Sequence, residues 1–159
     1  MTYLWLDCGE ECRIAARDFE FGMTAPQKIF HDGRWYENAY FLYQARKFLP
    51  AYPAIADEIS QCKYDEHSVS LWGRVQKYKR LGYMRPDWEE IRTDVLQDVL
   101  RLKFGRSHEL REILKTIEEP YIVAVMPSNN QWGTGSDGRG ENELGKALTK
   151  LRNTLRDNT

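Results

Sequence analysis

The sequence predicts a mainly α-helical fold: a single compact helical domain with a few short β-strands. Three observations carry this. Apolar residues recur at three- and four-residue spacing through most of residues 37–156. Only Tyr121-Ile-Val-Ala-Val-Met126 is short and β-branched enough to read as a buried strand. The length, 159 residues, fits one domain, and no repeat or low-complexity linker divides it. The single domain is therefore expected over 1–159, with 1–30 as its least regular, divergent segment.

In chain order, Ile29-Phe30-His31 and Arg34-Trp35-Tyr36 flank Asp32-Gly33, a hairpin signal. A helix follows over about 37–48, where Tyr36, Ala39, Tyr40, Tyr43 and Lys47 share a face and Pro50 ends the run. Pro53 suits the first turn of a short helix carrying Ile55 and Ile59. Another helix is expected over Ser68–Arg80. Asp87 and Glu90 have the spacing of a capping box ahead of the stripe Trp88, Ile91, Val95 and Val99. Gly105 suits the left-handed position past that helix. Ser107 can cap the next, in which Leu110, Ile113, Leu114 and Ile117 follow helical spacing until Pro120. After the strand and a glycine-rich loop, Leu144, Ala147, Leu148, Leu151 and Leu155 mark a last helix over about 141–156.

The charge balance narrows the function. Twenty-three basic against 24 acidic side chains leave a net charge of −1, which argues against adhesion by bulk charge to nucleic acid or an anionic membrane. No apolar run approaches a membrane span, and the acidic start MTYLWLDCGEECR lacks the basic cluster of a secretory leader. A cytoplasmic location is the expectation. Cys8, Cys12 and Cys62 are an odd set for a disulfide framework, and Cys8-x3-Cys12 has no second pair to complete a zinc site with the scattered His31, His67 and His108. Neither metal nor cofactor is expected. Aromatic residues reach 13%, enough to fill a core and leave rings for stacking on a flat ligand.

The stretch Trp132–Gly140 is chemically the most suggestive. Gly133, Gly138 and Gly140 would let backbone N–H groups approach a ligand, and the helix behind them offers further unpaired N–H groups. That combination favours a phosphate. Arg139 adds a cation, Asp137 a carboxylate and Trp132 a stacking face. A long, flexible surface turn accounts for the same residues equally well. The glycine spacing fits neither a P-loop nor a dinucleotide fingerprint.

The run Trp132-Gly-x-Gly-x-Asp-Gly-x-Gly-x-Asn142-x-Leu144-Gly145, with Leu148 and Lys150-Leu-Arg152 behind it, resembles the C-terminal signature of the NADAR (YbiA-like) family. Asp32-Gly-Arg-x-Tyr36, Tyr43-Gln-Ala-x-Lys47-Phe48, Gly73-Arg74, and Arg85-x2-Trp88 with Lys103-Phe104 resemble further blocks of that family in the same order. The resemblance spans roughly 30–156. It implies a compact helical fold and an N-glycosidase-like hydrolase. The substrate would be a phosphorylated ribosyl or ADP-ribosyl compound, of the riboflavin-intermediate or ADP-ribosyl-guanine type, extending to ADP-ribosylated nucleic acid.

One departure bears on catalysis. Where the family carries Glu-His ahead of its aromatic-Gln pair, this chain has Tyr40-Phe41, and Thr134 replaces an acid often found after Trp-Gly. Cleavage of a ribosyl C–N bond develops oxocarbenium-like charge that a carboxylate stabilises. Glu37, one helical turn before Tyr40, and Asp137 are the candidate substitutes; a solvated helix-start acid and a turn-forming Asp are the plainer readings. Tyr40, Gln44 and Lys47 would line one wall of the ligand site, with Arg74 and Arg85 as phosphate contacts and Trp88, Trp132, Gly133, Gly138, Arg139, Gly140 and Asn142 as further contacts. Trp88 also reads as core, and the arginines as solvated. The alternative function is a catalytically degenerate protein that binds and sequesters an ADP-ribose- or NAD-derived nucleotide.

Overall fold

The computed structural model describes residues 6–8, 11–14, 21–63 and 69–158. His67 and Ser68 lie outside them, as do the side chains of Asp7 and Cys8. The elements, in order, are β1 (Leu6–Cys8), β2 (Glu11–Ile14), β3 (Ile29–His31), β4 (Arg34–Tyr36), α1 (Ala39–Ala45), α2 (Pro53–Gln61), α3 (Val69–Arg80), α4 (Trp88–Gly105), α5 (His108–Lys115), β5 (Tyr121–Ala124) and α6 (Glu143–Asp157). The fold is mainly helical with a few short strands, as the periodicity predicts. The chain divides into two compact units, 1–25 with 96–159, and 26–95.

In the first unit β5 pairs in parallel with β2, which pairs antiparallel with β1. The irregular opening of the sequence thus supplies two strands that no local pattern announces: β1 pairs with the neighbouring β2, and β2 pairs in turn with β5, over a hundred residues away. Cys12, Ile14, Ile122 and Ala124 alternate onto the buried face. Helix α6 packs on β5 and presents Leu144, Ala147, Leu148 and Leu151 to the core. It also closes the open edge of β5, which would otherwise offer unpaired backbone groups. Ile122 N–H donates to Thr149 Oγ1 at 3.0 Å, Ala124 N–H donates to Asn142 Oδ1 at 2.8 Å, and Asn142 Nδ2 donates to Ile122 O at 3.0 Å. Gly145 permits this approach, since a Cβ there would collide with Ile122 O and the Asn142 amide. Buried Arg152 fastens the other end of α6, donating to the carbonyls of Ile117, Glu119 and Pro120.

In the second unit, Asp32 and Gly33 both take positive φ (50° and 80°) at the tip of the β3–β4 hairpin, the requirement of a tight primed turn. Asn38 caps α1 by accepting from Phe41 N–H at 3.1 Å. The helix is shorter than expected. It ends at Ala45, and residues 46–48 continue in tighter turns in which Lys47 N–H donates to Gln44 O and Phe48 N–H to Ala45 O. Helix α1 packs on β3, β4 and α2.

Two capping expectations are corrected. The Asp87 carboxylate does not cap α4: it takes two hydrogen bonds from the Arg85 guanidinium, at 2.6 and 2.9 Å, and its backbone carbonyl alone starts the helix. A neighbouring cation with two well-aligned donors outbids a main-chain amide. Gly105 is an ordinary member of the last turn of α4; Arg111 Nη1 donates to the carbonyls of Phe104 and Gly105, so no left-handed residue is needed there. Ser107 caps α5 as its spacing suggests.

Candidate functional site

Lys47 stands out in the second unit. Its Nζ lies 5.9 Å from the centroid of Tyr43 and 5.6 Å from that of Trp88. The two rings are buried and meet edge to face, 5.1 Å apart. The Lys47 backbone is pinned as well: Arg85 N–H donates to Lys47 O at 2.8 Å, and Arg85 Nη1 donates to Leu49 O at 2.9 Å. The Arg85–Asp87 pair therefore fixes the turn that carries the lysine, and Arg85 is not a spare cation for a phosphate.

No carboxylate forms an ion pair with Lys47 among the described residues. Burial, reinforced by the charge of Lys79, lowers its ammonium from the ordinary 10.5 to about 8; Glu89 pulls weakly the other way. A desolvated lysine of this kind carries a reactive neutral amine near physiological pH. Three residues earlier in sequence, Gln44 is 3% exposed and its Oε1 accepts no hydrogen bond, an unmet acceptor that native interiors rarely keep. Tyr40 is half-buried. Burial raises its phenol above the ordinary value, and the amide of Gln44 beside the hydroxyl offsets part of that. Tyr40 is therefore a neutral hydrogen-bonding group at pH 7.

The two candidate carboxylates have other partners. Helix α1 begins at Ala39, so Glu37 precedes the cap and does not share a helical face with Tyr40. Its Oε1 faces Lys28 at 3.9 Å and Lys63 at 3.7 Å. Asp137 is exposed, and its Oδ1 accepts from Arg139 N–H at 2.9 Å, closing a local turn. Arg74, also exposed, pairs with Glu58 at 3.2 Å.

The glycine-rich loop of the first unit is built differently from a phosphate cradle. Most of its amides donate within the chain. Gly133 N–H donates to Asn129 O, Gly140 N–H to Thr134 O and Asn142 N–H to Gly133 O, while Glu143 and Leu144 at the start of α6 donate to Gln131 O and Trp132 O. Gly133 is glycine because a Cβ would sit 2.5 Å from Met126 Cβ. Thr134, at the position of the family's frequent acid, accepts from Met126 N–H. Trp132, expected to offer a stacking face, is 6% exposed, and Trp88 is 4% exposed; both indoles belong to the interior. Asn142 spends its side chain on the β5 edge. Gly138 and Arg139 remain at the exposed loop tip.

Residues 9–156 match the NADAR domain. The chain belongs to the NADAR family. It is similar to the N-glycosidase YbiA of Escherichia coli, with 29% identity over 136 residues that cover 86% of this chain and 81% of that protein. The solution structure of E. coli YbiA superimposes with a TM-score of 0.72 at 25% identity, over 93% of this chain and 86% of that one. A further relative is the chloroplastic riboflavin biosynthesis protein PYRR of Zea mays, 31% identical over 117 residues, a match that spans 71% of this chain but 19% of the plant protein.

Within this NADAR domain the sequence reading omits two features of the Lys47 site, the Tyr43 ring and the Arg85–Asp87 clamp. The four-residue spacing of Tyr43 and Lys47 was a usable signal for the first. The second needed the turn after α1 to be known. Among the described residues no group of three or more His, Cys, Asp or Glu is placed to hold a metal, and no helix is long and apolar enough to cross a membrane.

Proposed function

We propose that this NADAR domain is an N-glycosidase that hydrolyses the bond between C1′ of a phosphorylated ribosyl or ADP-ribosyl group and a heterocyclic or exocyclic nitrogen, with Lys47 as the reacting group. The relatives' description as N-glycosidases supports the reaction class, and the riboflavin biosynthesis protein among them favours an early phosphorylated intermediate of that kind as substrate. The observation that carries the residue assignment is the unpaired Lys47 ammonium, lowered to about 8 beside Tyr43 and Trp88.

The chemistry follows from the neutral amine. Nζ attacks C1′ and the C1′–N bond breaks, its electron pair leaving with the departing nitrogen, which takes up a proton. Opening of the ribose ring gives an iminium between C1′ and Nζ. Water adds at C1′, and the sugar leaves while the amine is regenerated. A covalent route of this kind replaces one high barrier by two lower ones, and it does not require a carboxylate at position 40. Tyr40, neutral at pH 7, and the open acceptor of Gln44 serve to hydrogen-bond the substrate.

The test is incubation with ADP-ribosylated guanosine and with phosphoribosylamino-pyrimidine substrates, reading the released base or amine by mass spectrometry, with and without cyanoborohydride. Turnover, plus a reduced sugar adduct on Lys47 that Lys47→Met abolishes, supports the reading. A second reading, a binding protein that sequesters the nucleotide, is favoured by Tyr40 at the family's Glu position. Saturable binding of the same compounds with neither product nor adduct selects it.

A further inference from the structure

The first unit carries a groove of about 540 Å³ between the outer face of β5 and the flank of α6. It involves none of the residues around Lys47. Its volume lies in the range of small-molecule sites. One wall is Tyr121, a residue that is 58% exposed. Along the other wall stand Lys146 and Lys150, one helical turn apart, both exposed. Neither forms an ion pair among the described residues. Helix neighbours of like charge repel, and here no carboxylate relieves them. Of the two acids that reach the groove, Glu11 is paired with Arg13 at 3.3 Å, and Asp157 forms no ion pair among the described residues.

Those features set the chemistry of an occupant. The backbone edge of β5 is already closed by Thr149 and Asn142, so an added peptide strand has nothing to pair with. Two cations a turn apart match one phosphate and are too few for a polyanionic strand. An exposed phenol ring beside them suits a flat heterocycle. We propose that this groove is a ligand site for a planar aromatic compound bearing a single phosphate, such as a nucleoside monophosphate, with the ring on Tyr121 and the phosphate between Lys146 and Lys150.

The experiment is a titration of isotopically labelled protein with adenosine 5′-monophosphate, adenosine and inorganic phosphate, following amide shifts and heats of binding. Saturable binding of the monophosphate is expected, with shifts at 121–123 and 146–153. Adenosine and phosphate alone should each bind at least tenfold more weakly. Lys146→Glu with Lys150→Glu should weaken binding at least tenfold, and Tyr121→Ala roughly tenfold. The milder Lys146→Gln with Lys150→Gln should weaken it several-fold, which covers poor folding of the charge reversal. Lys47→Met should bind as wild type. Absence of saturable binding, affinity untouched by both lysine pairs, phosphate alone as tight as the nucleotide, or loss of binding in Lys47→Met overturns the proposal.

Discussion

Replacing Lys47 by methionine should make the protein more stable while abolishing turnover. The magnitude follows from the site. Lowering an ammonium from 10.5 to about 8 corresponds to about 3 kcal/mol of unfavourable free energy in the charged folded state. The contacts of Nζ with the faces of Tyr43 and Trp88 return about 1 kcal/mol. Methionine keeps the apolar stem and carries no charge, so a gain of about 2 kcal/mol is expected at pH 7. That is ~4–8 °C in melting temperature at this chain length. The pH dependence has a definite sign. Between about 8 and 10.5 the unfolded lysine holds its proton while the folded one has released it, so wild-type stability relative to the variant rises with pH across that window. The difference should therefore be largest at pH 7 and shrink towards pH 10.5. Urea unfolding of both proteins at pH 7, 8.5 and 10 measures it. A variant less stable than wild type at pH 7, or a difference that does not change with pH, refutes the claim that a desolvated, unpaired ammonium is held here.

The rate of base or amine release should rise with pH through a midpoint near 8, as Lys47 loses its proton; a flat profile between pH 6.5 and 9 in a steady-state assay would count against the amine as nucleophile. Glu37→Gln removes only contacts of 3.7–3.9 Å to Lys28 and Lys63, so stability should change by less than about 1 kcal/mol and turnover should persist, whereas a collapse of kcat would return the role to that carboxylate. Arg152→Met strands the carbonyls of Ile117, Glu119 and Pro120 and should cost about 3 kcal/mol, read as a fall in the denaturation midpoint. Gly145→Ala drives a methyl into Ile122 O and Asn142 and should cost about 2–3 kcal/mol, with the loss of exchange protection concentrated in β5.

What the sequence made legible was local. The Asp32-Gly33 turn, the Ser107 cap and the apolar stripes of α2, α5 and α6 each depend on residues within one or two turns of each other, and each is found. Several misses are cases in which a distant or competing partner decides. Strand β2 pairs with β5 across the chain, with β1 beside it. Asp87 has the spacing of a cap, yet Arg85 holds it. Trp132 lies among polar neighbours in sequence but is buried, because the loop around it folds inward on its own hydrogen bonds. The family blocks were readable as residues, and their roles were not: Asn142 sits in a glycine-rich signature that suggests anion binding, while its amide closes a sheet edge.

The contrast between the glycine loop and Lys47 shows which kind of observation points to function in this chain. A group whose hydrogen-bonding capacity is filled by its own fold has a sufficient structural reason to be where it is, and Gly133, Gly140 and Asn142 are of this kind. Lys47 is the reverse. The fold desolvates its ammonium beside the Tyr43 and Trp88 rings, sets Lys79 near it against only a weak pull from Glu89, gives it no ion pair among the described residues, and leaves an unmet acceptor on Gln44 three positions earlier. Each of those choices lowers stability, and a solvated side chain or a methionine would avoid them. Natural chains keep such costs chiefly at functional sites. The candidate site therefore centres on Lys47, a cation that the fold desolvates without giving it an ion pair among the described residues, and much of the loop that most resembles a ligand cradle in sequence is already hydrogen-bonded within the chain.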